Sequence, residues 1–140
     1  MIQTLRIEGW HPPRANELMW VDWRVVSTKK KKAAKVVSQW AAVHKLVPAT
    51  GRRRLDVTIV LAKGQRAPDS DAFDKALRDA LVHAGLLTDD NRIGLEPGTV
   101  TYKRSGTEAK WTEITLTDVE PAPPIEVLNA KPKRARKVKG

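Results

Sequence analysis

The chain contains no cysteine, which excludes a disulfide framework, a thiolate zinc site and a cysteine nucleophile. Aromatic residues other than tryptophan are almost missing, one Phe and one Tyr beside five Trp. No run approaches the ~18–20 apolar residues that a membrane-spanning helix needs. The opening MIQTLRIEGWHPPR lacks the basic-then-apolar order of a secretory signal. Acidic charge is scarce too, with 16 Asp and Glu against 26 Lys and Arg, a net charge of +10. These absences lead us to expect a cytoplasmic protein, with no membrane partner and no small-molecule cofactor, that meets a polyanion.

What remains is one domain's worth of chain, 140 residues, 30% charged and 41% hydrophobic, a balance that excludes wholesale disorder. The basic excess is uneven. Residues 121–140 carry six Lys/Arg and one Glu, so a short Pro-rich and then basic tail holds half of the net charge. Residues 1–120 form the expected folded domain, and 121–140 a flexible extension.

Hydrophobic periodicity divides the domain. Residues 3–9 alternate around Leu5 and Ile7 as a strand. After the WHPPRAN break, a helix is predicted from Thr28, with Ala33, Val36, Val37, Trp40 and Ala41 at three- and four-residue steps, closed by Pro48 and Gly51. A strand is predicted over 54–62, with Leu55, Val57, Ile59 and Leu61 on one side. A helix is predicted over 71–84, ended by Gly85. Strands follow at 98–104 and 111–118, with SGTEA as a hairpin turn between them. The expected fold is α/β (α+β): a small mixed sheet of about four strands with two main helices on one face, in a dimer.

The most informative stretch is PDSDAFDKALRDALVHAGLLTDDNRI, residues 68–93. Asp69 and Asp71 open the second helix, where Asp71 suits a capping position. Asp71, Lys75 and Asp79 then stand at four-residue steps on its polar side. A helix of about 14 residues is ~21 Å long, so the chain after Gly85 must run back along it to bring Asp90 to Asp69 and Asp71. Leu86 and Leu87 would anchor that path. Clustered carboxylates repel unless a cation intervenes, and oxygen-only ligands favour Mg²⁺ or Mn²⁺. Such an ion supports phosphodiester hydrolysis, with Lys75 directed at the phosphate or the attacking water. The competing reading is a capped helix with a solvated Asp–Lys–Asp face. A calcium-binding EF-hand is excluded, because Asp74 and Ala80 stand where that loop requires Gly and Glu.

The order Asp69-Ser70-Asp71, Lys75, Asp79-Ala80-Leu81, Gly85 and Asp89-Asp90 resembles the RusA-type Holliday junction resolvases. Pro12, Pro13 and Asn16 after the first strand are similar as well, and the likeness covers roughly residues 3–118. The resemblance implies a RusA-like homodimeric fold and a Mg²⁺-dependent endodeoxyribonuclease, in a bacterial or phage-infected cell, that resolves four-way DNA junctions by paired cuts in recombination and repair. It assigns metal ligation to Asp69, Asp71 and Asp90 and the catalytic lysine to Lys75. Asp79 then orients Lys75, and Asp89 either supports the ligands from behind or shapes the loop. Ala72, Pro68 and Arg78 depart from the family's usual Asn, Arg and large apolar residue, without removing a ligand.

DNA contacts are expected from Lys29, Lys30, Lys31, Lys32 and Lys35, from Arg52, Arg53 and Arg54, from Arg66, and from the tail. A lysine cluster at a helix start opposes the macrodipole, which favours a binding role for it. Trp40 and Trp111 are expected in the core, and Trp20 and Trp23 at the dimer interface, with a wedge in an opened junction as the alternative. His11, His44 and His83 show no ligand spacing. Two other readings remain open: a nuclease for flaps or other branched DNA without strict junction selectivity, and a non-catalytic basic DNA-binding protein.

Overall fold

The strongest alternation of burial lies in Arg53–Leu61 (β2), whose residues 53, 55, 57, 59 and 61 all face inward. Four strands and two helices surround it in a computed structural model that describes residues 1–14, 22–66 and 73–128. The remaining elements are β1 (Ile2–Glu8), α1 (Trp23–Val43), α2 (Asp74–His83), β3 (Leu95–Arg104) and β4 (Trp111–Asp118). The fold is therefore mixed α+β, with a four-stranded sheet and two helices. No helix among the described residues is long and apolar enough to cross a membrane.

The sheet order is β1-β4-β2-β3. β4 runs antiparallel to both β1 and β2, while β3 runs parallel to β2. Two parallel neighbours need a crossover, and α2 provides it. Both helices pack on the face made by Leu5, Ile7, Leu55, Val57, Ile59, Leu61, Ile114 and Leu116, through Ala33, Val37 and Ala41 of α1 and Leu77 and Leu81 of α2.

The expected hairpin is corrected by this order. β3 and β4 do not pair, because β2 lies between them. Residues 105–110 instead cross the end of β2, where the Ser105 N–H donates to Leu61 O at 3.0 Å and the Lys63 N–H donates to Thr107 O at 2.6 Å. The burial requirement explains it: β2 is apolar enough to be central, and β3 is mostly exposed and takes an edge.

Helix α1 begins earlier than its apolar stripe implied. Asp22 caps it, accepting from Arg24 N–H at 2.8 Å. Thr28 is interior, and its hydroxyl donates to Arg24 O. Lys29–Lys32 are thus mid-helix, and the argument from a positive helix start lapses. The helix closes through Lys45 at φ 55°, with the Leu46 N–H returning to Ala41 O at 2.9 Å.

Among the tryptophans, Trp40 flanks the core and stacks on His44. Trp111 is half-buried on the opposite sheet face, under the Arg6 guanidinium at 3.8 Å, rather than in the core. Trp23 is the first residue of α1 and 72% exposed. Trp20 lies outside the described residues.

Strand parity also overturns one expected DNA contact. Arg53 is only 2% exposed. Its Nε donates to Asp118 Oδ1 at 2.8 Å, Nη1 to Leu86 O at 3.0 Å, and Nη2 to Val47 O at 3.0 Å and Pro48 O at 3.3 Å. Its neighbours also part from a common patch. Arg52 is half-buried beside Glu96. Arg54 pairs with Asp56 on the other sheet face.

Asp56 serves a bulge in which Gly98 and Thr99 of β3 oppose one residue of β2. Burial alone would raise its carboxyl pKa. Hydrogen bonds from the Thr99 N–H and hydroxyl, at 2.8 and 3.0 Å, and from Arg54 outweigh that and hold it below the usual range. A Cβ on Gly98 would collide with Asp56 Oδ1 and Leu55 O.

β4 ends at Asp118, and residues 119–128 form no helix or strand. They still touch the domain, through Val119 N–H to Arg52 O and Arg92 Nη2 to Pro123 O. The basic stretch from Lys131 lies outside the described residues.

Replacing Arg53 removes its bonds to Asp118, Leu86 O, Val47 O and Pro48 O, of which Val47 O keeps the Gln3 Nε2 donor, so Arg53→Met should lower urea-unfolding stability by about 3 kcal/mol. The Arg53 hydrogen bond holds the Asp118 carboxyl below its ordinary value. A depressed carboxylate stabilises fully above its unfolded pKa and loses that contribution as pH falls through the folded one. Asp118→Asn should therefore cost stability at neutral pH and flatten the loss of stability below pH ~4. Equal pH profiles for wild type and variant would refute the linkage.

Candidate active site at the start of the second helix

Helix α2 buries Ala76, Leu77, Ala80 and Leu81, which leaves Lys75 and Asp79 outward, one turn apart. Lys75 Nζ lies 3.5 Å from Asp79 Oδ1. After Ala84 the chain reverses. Gly85 adopts φ 77°, which an L side chain resists. The Leu86 N–H then donates back to Leu81 O at 3.0 Å. Leu86 and Leu87, each 2% exposed, pin the return to the core.

The returning loop is built by its own side chains. Asp89 Oδ1 accepts from Asp90 N–H at 2.7 Å, and Asp89 Oδ2 accepts from Asn91 Nδ2 at 3.2 Å. Asn91 Oδ1 accepts from Ile93 N–H at 3.0 Å. Asp89 is thus a loop-forming residue. Gly94 lets the turn close, since a Cβ there would stand 2.5 Å from Asp89 N and 2.7 Å from Asp89 O.

The return path brings Asp90 beside α2, while its expected meeting with Asp69 and Asp71 lies outside the described residues. Asp90 Oδ2 comes to 3.8 Å from Lys75 Nζ, near the start of α2. Asp69 and Asp71 lie outside the described residues. Among the described residues, no three His, Cys, Asp or Glu side chains are grouped so as to hold a metal ion. Asp90 and Asp79 supply oxygen donors only, a set that suits a hard divalent cation.

One participant was not singled out by sequence reasoning. Lys30, from α1, reaches Asp79 Oδ2 at 3.7 Å. It lines a depression of about 280 Å³ together with Asp79, Val82, His83 and Asp90. The signal was present. Lys30 is in helical phase with the buried Ala33, Val37 and Ala41, whereas Lys31 is turned away from that stripe. Ala33, Val37 and Ala41 are also small enough to let α1 approach α2, which brings the Lys30 ammonium within range. Lys31, Lys32 and Lys35 are exposed, Lys29 is half-buried, and Arg66 is exposed just before the segment that carries Asp69. Arg78 is spent on Asp74, Nε to Oδ1 3.0 Å.

The energetics of the cluster matter for its use. Lys75 is 71% and Asp90 37% exposed, and exposed ion pairs contribute about 0–1 kcal/mol. The lysine is a weak companion for Asp90, so a divalent cation or a phosphate can rearrange the pair at little cost.

No protein-family model matches this chain, and no curated protein matches it. Its likeness to the resolvases therefore rests on the motif residues themselves.

The turn and the surface network should respond differently to substitution. Gly94→Ala should cost roughly 1–3 kcal/mol in urea unfolding, because the obstructing atoms are backbone. Asp79→Asn should cost less than about 1 kcal/mol. Comparable losses for both would contradict this account of the loop.

Proposed function

We propose that the protein is a Mg²⁺-dependent endonuclease for branched DNA, a homodimer with a RusA-like fold that resolves four-way junctions. The observation that supports this reading is the approach of Asp90 to Lys75, which brings two residues of the motif together near the start of α2. Asp69, Asp71 and Asp90 are the ligands for the ion, which when bound supplies charge neutralisation and activation of water. Lys75 holds the scissile phosphate. Asp79 orients Lys75 and Lys30 at once, and Lys30 contributes a second cation to the phosphate path. A four-stranded substrate needs two cuts, and a two-fold dimer supplies two such sites.

A non-catalytic DNA-binding protein is the rival, favoured by one observation: both described carboxylates of the site already have lysine companions. Cleavage of a labelled four-way junction with and without Mg²⁺ separates the two. Asp71→Asn and Asp90→Asn should each reduce cutting at least about 100-fold while junction binding persists. Undiminished cutting by either variant would remove the site. Substrates with flaps, compared in the same assay, measure junction selectivity.

Deletion of residues 129–140 should weaken binding and lower its salt dependence, since five of the tail's Lys/Arg clustered beyond Lys131, together with Lys131 itself, are lost. Cutting by the DNA-bound enzyme should persist. An unchanged salt slope would dismiss the tail as a tether.

A further inference from the structure

A second concave site lies on the other side of the α2 start, where Gln65 and Phe73 flank in sequence the segment bearing Asp69 and Asp71. It encloses about 430 Å³, within the ~300–1,000 Å³ of small-molecule sites. Its wall is aromatic: Trp10, His11 and Phe73. Arg14, Lys29, Lys32 and Lys110 also line it, and no carboxylate does so among the described residues. Flat apolar surface and concentrated positive charge therefore occur in one cavity.

The wall is held rather than collapsed. Trp10 O accepts from the Thr112 hydroxyl at 2.8 Å, and the Gly9 N–H donates to Lys110 O at 2.8 Å, fixing the turn after β1 to β4. His11 Nε2 lies 2.9 Å from Val60 O. A carbonyl only accepts, so Nε2 carries the hydrogen. Burial first, then the nearby Lys110 and Arg14 charges, outweigh that hydrogen bond and keep the imidazole pKa below its ordinary value. Neutral His11 then offers Nδ1 as the acceptor for Gln65 Nε2 at 3.4 Å, while Gln65 Oε1 accepts from Ala62 N–H at 3.1 Å. The ring is tilted by 55° against Phe73 at 5.6 Å between centroids, and the Arg14 guanidinium stands over Phe73 at 5.6 Å.

Resting on the branched-DNA reading above, we infer that this cavity receives a single unstacked nucleotide of the substrate, its base against the Trp10–Phe73 wall and its phosphate among Arg14, Lys29, Lys32 and Lys110. An entering base would displace the Arg14 guanidinium from Phe73 toward the phosphate. Anions alone would be served by an open lysine surface. Paired bases have their faces stacked and cannot use an aromatic wall, whereas an unpaired base can. A strand leaving a branch point presents such a base beside the phosphates that enter the neighbouring site. A free nucleotide has the same chemistry, and the test separates the two sources.

The full-length protein, labelled with ¹⁵N, is titrated to millimolar concentration with dAMP, inorganic phosphate, a fully paired hairpin, and the same hairpin carrying one unpaired adenine. The dAMP and the unpaired adenine should shift the Gln65 side-chain amide and Trp10 indole signals, and the unpaired adenine should act at the lower concentration. Lys32→Glu with Lys110→Glu, both exposed positions, should weaken the dAMP response roughly tenfold or more. Shifts with dAMP alone would mark a free-nucleotide site and overturn the DNA assignment. Equal shifts with inorganic phosphate or with the fully paired hairpin, or none with any probe, would overturn the proposal. Mg²⁺-dependent junction cleavage by the wild type is scored separately. Cleavage without these shifts rejects the cavity alone, and shifts without cleavage reject the nuclease reading and leave a nucleotide-binding cavity.

Discussion

The buried guanidinium of Arg53 is the interaction on which the arrangement of the molecule depends. Its four hydrogen bonds join β2 to the end of β4, to the α1–β2 connection, and to Leu86 at the root of the returning loop. Burying an arginine is costly unless each donor finds an acceptor. Here the acceptors come from three separate segments, the α1–β2 connection, the returning loop and the end of β4. The loop that delivers Asp90 is thus fastened at its base to the most buried strand of the fold.

This fastening reconciles a rigid scaffold with a loosely tied site. Leu86, Leu87 and the Arg53 contact fix where the returning chain begins, and Asp89, Asn91 and Gly94 fix its turn. The side chains that would meet a phosphate or a cation are, in contrast, solvated and joined by contacts of 3.5–3.8 Å. Precision resides in the backbone, and adaptability in the ammonium and carboxylate ends. A charged, mobile substrate asks for that division.

The element order was legible in the sequence because hydrophobic periodicity reports which side of an element is buried. The return of Asp90 was legible because Gly85 and the Leu86–Leu87 pair act locally. Strand pairing was not, since adjacency in sequence said nothing of β2 lying between β3 and β4. Arg53 was misplaced, and the approach of Lys30 to Asp79 was missed, for a shared reason. Each was grouped with neighbouring cations by composition, although the phase of its own element separated it from them. Asp22, a cap before the apolar stripe, was overlooked because an exposed first turn leaves no hydrophobic signature.

The bulge held by Asp56 bears on how two copies of this chain can meet. β3 is a sheet border, and such borders invite a stranger's backbone to continue the ladder. Pro97 withholds a donor, the extra residue at Gly98–Thr99 breaks the spacing, and Lys103 and Arg104 place exposed cations near the strand's end. These features disfavour continuation of the sheet from one copy into another on that margin, and leave the β1 margin and the faces of the molecule as the more open surfaces.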